Sequence, residues 1–268
     1  MKKKNRADYK NWMPIHYLVV LGLVTALLFF LTVLFFFFGR FIHFVWLRFF
    51  LGTIFSLFAL IFLFFFILGI YWYYAFSYDG KRQMSKIIIE GVASYCKDRE
   101  GKILDVGCGS GALTINLAKN NPNALVFGVD KWGIEYINIT RKLCQDNAKA
   151  EGVNNAFFLY SSIRKLDYPD GYFDHVTSNY CYSNLMGFDK QEVLLEALRV
   201  LKKGGTFAIH DIMDWLHFGD MNSFVTKLKD IGFEEVHLVD TSKGMFITEF
   251  ESFFLSLNGS YLLYGKKC

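Results

Sequence analysis

Two stretches without a charged side chain constrain this chain more than any other feature. Between Lys10 and Arg40, and again between Arg48 and Asp79, there is no Asp, Glu, Lys or Arg, so uncharged runs of 29 and 30 residues flank a short gap. A helix rises about 1.5 Å per residue, and about 20 apolar residues cross the hydrocarbon core of a bilayer. Ile15 to Phe38 and Phe49 to Tyr74, rich in Leu, Phe, Val and Ile, each exceed that length. The connection from Gly39 to Arg48 is short, so the two runs are expected as antiparallel neighbours in a transmembrane helical hairpin. Trp12, Tyr17, Trp46 and Tyr71 to Tyr74 fall where amphipathic rings meet headgroups. Five basic residues precede the first run and Lys81, Arg82 and Lys86 follow the second, against Arg40 and Arg48 between them, which places both termini in the cytoplasm. A cleavable signal peptide has a shorter apolar stretch and a small-residue cleavage site, and buried core helices need a large protein around them. The expectation is a two-pass anchor over residues 1–78, with the lipid bilayer as partner, followed by a soluble domain over residues 79–268.

Charge divides in the same way. Residues 1–82 carry nine Lys/Arg against Asp8 and Asp79, a balance of +7, and the remainder holds 20 basic and 23 acidic residues, a balance of −3. A basic, apolar lead before a slightly acidic domain suits an anionic membrane surface and does not suit a phosphate backbone, so no nucleic-acid partner is expected. The five cysteines, Cys96, Cys108, Cys144, Cys181 and Cys268, are dispersed, with no paired Cys/His spacing, and neither a disulfide nor a bound metal is expected.

After Gly80, an amphipathic helix reads from Lys81 to Lys97. Strand-like and helix-like stretches then alternate. Strands read at Lys102 to Val106, Ala124 to Val129, Ala156 to Tyr160, Phe173 to Ser178, Thr206 to His210, Glu235 to Val239 and Ser260 to Tyr264. Helices read at Leu113 to Lys119, Ile134 to Ala150, Gln191 to Leu201 and Ser223 to Ile231. Strand followed by helix, repeated, builds an α/β fold with a mainly parallel sheet covered on both faces. The last two strands lack an obvious crossover helix, so an antiparallel terminal hairpin or edge strand is expected there.

The stretch Ile103-Leu104-Asp105-Val106-Gly107-Cys108-Gly109-Ser110-Gly111-Ala112-Leu113 carries the chemistry. A strand running into three glycines and then a helix lets the backbone bend sharply and approach a ligand at the carboxyl edge of the sheet. A second strand ends in Asp130, 19 residues after Gly111, where a carboxylate can accept both ribose hydroxyls. Together these point to an adenosine-bearing cofactor. Gly107-x-Gly109-x-x-Ala112 also satisfies a dinucleotide pattern, but Asp105 in the last turn of the strand repels a pyrophosphate and attracts an ammonium. S-adenosylmethionine has that ammonium and no phosphate.

Leu104 to Gly111 resembles the first motif of the class I, Rossmann-like S-adenosylmethionine-dependent methyltransferases. The resemblance runs over about residues 100–268, through Asp130, Leu166-x-x-Pro169-Asp170-x-x-Phe173-Asp174 and Leu201-Lys-Lys-Gly-Gly-Thr206. It implies a seven-stranded, mainly parallel sheet and a set of cofactor contacts. Gly107, Cys108, Gly109 and Gly111 would line methionine and sugar, Asp105 would hold the amino group directly or through water, Asp130 the ribose, and Lys131 with Trp132 would border the adenine. Where that family commonly has Gly-Asp-Ala, this chain has Ser161-Ser162-Ile163, so Ser162, beside Ile163, replaces a charged adenine acceptor with a neutral one. The loop Asn179 to Asn184 falls at the substrate-facing edge of the implied cofactor pocket and lacks the Asn-Pro-Pro-Tyr signature of enzymes that methylate nucleic-acid amines.

Methyl transfer from a sulfonium needs mainly alignment and exclusion of water. Where a base helps, His210, Asp211, Tyr180 and Tyr182 are the local candidates, and the sequence does not choose among them. The expected acceptor is small or lipophilic, because an anchor gathers membrane-borne substrates near the pocket. A non-catalytic S-adenosylmethionine-binding scaffold or sensor, and a nicotinamide-dependent oxidoreductase, are the alternatives.

Overall fold

The computed structural model describes residues 6–39, 44–97, 99–133 and 138–268. The chain divides into two compact units, Asn11–Ser85 and a second made of Met1–Lys10 with Lys86–Cys268.

The first unit is a pair of helices, α1 (Ile15–Val33) and α2 (Val45–Ala75). α1 continues through one π-helical segment, Leu34–Phe38, so the apolar helices are 24 and 31 residues long, enough by length and composition to cross a membrane. They run antiparallel: Gly69 faces Leu18, Gly22 faces Phe66 and Gly52 faces Phe36. The buried positions of α2 are Gly52, Ala59, Gly69 and Ala75, a seam of small residues that lets two backbones approach. Most of the large Leu, Ile and Phe side chains face outward. The gap between the runs is shorter than the sequence suggests, because α2 begins at Val45 and carries Arg48 in its first turns. The Arg48 guanidinium reaches back to the carbonyls of Phe35 (2.8 Å) and Phe36, acceptors freed where α1 ends. Arg40, Phe41, Ile42 and His43 of the expected linker lie outside the described residues.

The second unit is a seven-stranded sheet with its helices. In chain order the elements are α3 (Met84–Ser94), β1 (Gly101–Val106), α4 (Ala112–Asn120), β2 (Ala124–Asp130), α5 (Arg141–Ala150), β3 (Ala156–Tyr160), β4 (Phe173–Asn179), α6 (Lys190–Arg199), β5 (Leu201–Ile212), α7 (Trp215–Phe218), α8 (Met221–Asp230), β6 (Phe233–Asp240), α9 (Glu249–Phe254) and β7 (Ser260–Lys267). The order across the sheet is β3-β2-β1-β4-β5-β7-β6. β1 to β5 are parallel, and β7 inserts antiparallel between β5 and β6. β6 is thus the edge, and the short helix α9, which the sequence pattern does not reveal, leads back to β7. The order reverses between β1 and β4, a point at which α/β sheets open a crevice beyond the carboxyl ends of their strands.

Burial explains the central strands. Leu104, Val106, Val176, Phe207 and Ile209 pack with Leu194, Leu198, Phe224 and Leu228 of α6 and α8 in one buried cluster. Two helices are shorter than expected by six residues or more, α3 by three residues at each end. α5 starts at Arg141 because the Thr140 hydroxyl accepts from Leu143 N and caps it; Ile134 to Ile137 of the expected helix lie outside the described residues. Arg6 to Lys10 belong to this unit. Asp8 N donates to Asn147 Oδ1 (2.7 Å) and Asn147 Nδ2 donates to Asp8 O (3.0 Å), while Ala7 and Tyr9 are buried.

Candidate cofactor and acceptor site

The site forms where β1, β2 and β3 end. Past Val106 the chain turns over β2, with Gly107 N and Cys108 N both donating to Val129 O (2.8 and 3.1 Å). Such a turn needs backbone that L side chains rarely adopt, and φ is +73° at Gly107, +53° at Gly109 and +83° at Gly111. The glycines differ in what lies beyond them. A Cβ at Gly107 would stand 2.1 Å from Cys181 Sγ, so that glycine seats the loop against the segment after β4. Among the described residues, a Cβ at Gly109 would meet nothing within 4 Å.

Gly109 is held on both of its polar atoms. Its N–H donates to Asp130 Oδ2 (2.9 Å), while its carbonyl accepts from Trp132 Nε1 (2.9 Å) and Cys144 Sγ (3.1 Å). Asp130 Oδ1 accepts from Trp132 N (3.0 Å), in a turn that gives Trp132 a φ of +41°. The indole meets Tyr160 edge-on, with ring centroids 4.9 Å apart. Asn147 Nδ2 donates to Ser110 O (3.0 Å), so the residue that fastens Asp8 also braces the glycine loop. Asp130 thus fixes the loop with one lone pair on each oxygen and keeps the others for a ligand. Lys131 is exposed and Cys108 is buried under the loop.

Asp105 is 1% exposed, and its Oδ2 accepts from Thr114 Oγ1 (2.6 Å). Burial pushes its carboxyl up to about 7, against the lowering effect of the Thr114 bond. A carboxyl in that condition gains most from a cation placed near it, which fits an incoming ammonium.

Beyond β3 the two serines face different ways. Ser161 N still pairs with Asp130 O (3.2 Å), and the Ser161 side chain is buried, with no partner for its hydroxyl among the described residues. Ser162 points out, is exposed, and accepts from Arg164 N (3.3 Å); Ile163 packs against the core. The serine aimed inward is the first of the pair.

The four candidate bases stand at or just beyond the ends of β4 and β5. Each lies behind the edge of the sheet with its polar atoms engaged or enclosed. His210 is fully buried, with Nδ1 2.8 Å from Asn179 Oδ1 and Nε2 2.8 Å from Thr241 Oγ1, and burial pushes its ring down to about 3, which keeps it neutral. Asp211 accepts from the amides of Tyr182 (2.6 Å), Ser183 (3.2 Å) and Ile212 (2.8 Å) and shapes the turn after β4. The Tyr180 hydroxyl bonds Ser260 Oγ (2.9 Å), and the Tyr182 hydroxyl is sealed in the core beside Ser178. Asn179, half-buried at the end of β4, reaches the edge itself, with its amide oriented by His210.

A family model described as a methyltransferase domain matches residues 97–249, more than half of the chain. The chain belongs to this methyltransferase-domain family. The domain is 36% identical over 106 residues to an uncharacterized methyltransferase of Schizosaccharomyces pombe, covering 39% of this chain and 37% of that protein. It is 28% identical over 111 residues to the ubiquinone/menaquinone biosynthesis C-methyltransferase of Vibrio campbellii, covering 40% of each. The match therefore spans less than half the length of these curated relatives. Among solved structures, the cyclase SpnF shares the fold with a TM-score of 0.52 and 17% identity, over 71% of this chain and 85% of that one.

The cofactor of this methyltransferase domain is S-adenosylmethionine, and the site residues fit it. The room beside Gly109 among the described residues, the spare lone pairs of Asp130, the unpartnered Ser161 hydroxyl and the buried Asp105 offer acceptors and room for a group that carries hydroxyls and an ammonium. Thr114, Cys144, Asn147 and Ser161 are contributors that sequence reasoning misses. Only Thr114, one turn into the helix after Gly111, has a signal in its spacing.

Proposed function

We propose that this protein is a membrane-anchored enzyme that moves a methyl group from S-adenosylmethionine to a small, lipophilic acceptor. The observation that carries the reading is the seating of Gly107 against Cys181. It joins the glycine loop to the Tyr180-to-Asn184 loop, so the edge that would hold the cofactor continues into the edge that would hold an acceptor. Asp130 would hold the ribose hydroxyls, Ser161 a polar atom of the base, and Asp105 the amino group. When bound, the cofactor supplies a methyl group already made electrophilic by its sulfonium. Asn179, braced by His210, would orient the acceptor beside Tyr180, and the uncharged loop would exclude water. An acceptor that is nucleophilic without a base, such as an amine or an already ionised oxygen or carbon, suits the engaged or enclosed polar atoms of His210, Asp211, Tyr180 and Tyr182.

Three features support anchoring: the lengths of α1 and α2, their outward-facing Leu and Phe side chains, and their small-residue seam. On the charge bias, the catalytic unit and both termini would be cytoplasmic. The Vibrio relative, named for quinone biosynthesis, supports a small acceptor. To test this, the full chain is incubated in membranes with methyl-labelled cofactor, a total lipid extract and soluble metabolites. Labelled lipid is the expected product. Label only in the aqueous fraction refutes the lipophilic acceptor, and tight cofactor binding without any labelled product would favour the scaffold reading.

A further inference from the structure

The most exposed large apolar side chains of the sheet-bearing unit share one edge. Met186, Trp215, Leu216, Phe250 and Phe253 are between 67% and 88% exposed. They stand on three connections: the one after β4, α7 after β5, and the segment around α9 after β6. β5 and β6 are each antiparallel to β7, so β6 runs with β4 and β5, and all three connections leave the carboxyl edge on which the glycine loop stands. They are tied to one another. Gln191 Nε2 donates to Phe218 O (2.8 Å), Met213 N donates to Gly259 O (2.8 Å), and a Cβ on Gly259 would touch Asp214. A single exposed Leu is ordinary, but a group of this kind around a site marks a contact surface for protein or membrane.

A lipid surface fits it best. The same chain carries helices of 24 and 31 residues long and apolar enough to enter a bilayer, which would keep lipid at a high effective concentration around this unit. Trp, Phe and Leu on short helices are side chains that settle at the boundary of headgroups and acyl chains. The charges around the patch are of both signs, with Asp189, Asp214, Asp220 and Glu249 beside Lys190 and Lys243, so no single charge selects an acidic or basic protein partner. We propose that this apolar crown inserts into the headgroup region of the bilayer, so that the acceptor edge of the sheet opens directly onto lipid. The inference rests on the anchored reading above, and its test separates the two.

The full chain with Cys268→Ser receives one cysteine, at Leu216→Cys or, as a control at the amino edge, at Asn123→Cys. Each carries an environment-sensitive nitrobenzoxadiazole label and is reconstituted in phosphatidylcholine vesicles with or without nitroxide-labelled acyl chains. At position 216 a blue-shifted emission is expected, quenched by the nitroxides and unchanged in about 1 M salt, where the Debye length is only about 3 Å. At position 123 neither shift nor quenching is expected. Water-like, unquenched emission at 216 overturns the crown. Blue-shifted but unquenched emission also overturns it, because a second copy or another protein would then cover the patch. Alkaline carbonate extraction reports the anchor separately: a chain that is extracted yet still quenched at 216 keeps the crown and loses the anchor, and a chain that is retained but unquenched does the reverse.

Discussion

Replacing Asp130 with alanine should damage cofactor binding and the glycine loop by separable amounts. In the folded chain its two oxygens accept from Gly109 N at 2.9 Å and Trp132 N at 3.0 Å. Hydrogen bonds to a charged group contribute about 1.5–3 kcal/mol each, and this half-buried carboxylate belongs toward the lower end. Loss of both anchors should therefore lower stability by roughly 3 kcal/mol in total. A ribose held by the remaining lone pairs adds a second loss of about 1.5–3 kcal/mol in binding, or about 10- to 150-fold in affinity. Calorimetry with S-adenosylmethionine on detergent-solubilised full chain measures the affinity, and thermal unfolding of the same sample measures the stability. Asp130→Asn is the informative companion, because its carbonyl oxygen can keep one of the two backbone bonds while the charge is gone. If Asp130→Ala unfolds earlier but binds within threefold of the parent, the carboxylate only fastens the loop and the ribose assignment is wrong.

The two glycines should respond in opposite ways. Gly107→Ala drives a methyl group into Cys181 and should cost more than the roughly 1–2 kcal/mol of left-handed strain alone, visible as lost thermal stability; Gly109→Ala should cost about that strain while its methyl group, which meets no described residue within 4 Å, abolishes measurable cofactor binding. Asp105 has its folded pKa raised to about 7, so the folded state holds the proton more tightly than the unfolded one. Its contribution is intact below about pH 4 and is lost as pH rises toward 7, by roughly 4 kcal/mol at most. Neutral buried His210, lowered to about 3, works in the opposite direction, destabilising the fold as pH falls below about 6.5. The Asp105 effect must therefore be taken as a difference: Asp105→Asn should gain stability over the parent at pH 8 and lose that advantage near pH 4, and a difference that is constant with pH contradicts the assignment. For topology, exposed Cys268 should react with an impermeant maleimide only after cells are permeabilised, and labelling from outside would place the domain on the wrong side.

Local patterns make the glycine loop legible in the sequence, since positive φ at Gly107, Gly109 and Gly111 leaves glycine as the residue that fits without strain. The place of Asp130, at the end of an apolar strand, is legible too. His210 is not. A histidine closing a strand reads the same whether it faces solvent or lies enclosed, and its partners Asn179 and Thr241 are each 31 residues away, brought in by β4 and by the segment after β6. In the Ser161-Ser162 pair the sequence does not say which hydroxyl turns inward, because one extra pairing past β3 decides it. The insertion of β7 between β5 and β6 is a choice of sheet order, which alternating hydrophobicity within a strand does not encode.

Asn147 gives the apolar helices an unexpected place in the chain. Its amide clasps Asp8 on one side of the helical pair, and Lys86 onward, on the other side, belongs to the same compact body. In the chain the pair is therefore an insertion, preceded and followed by segments of the sheet-bearing unit. If such an insertion crosses a bilayer as proposed above, its crossings are even in number, whatever the balance of Lys and Arg around it. It also changes where a water-soluble version should be cut. Starting the chain at Lys86 strips Asn147 of the partner that shares its amide with Ser110, whereas replacing the insertion by a flexible linker and keeping Asp8 keeps the glycine loop braced.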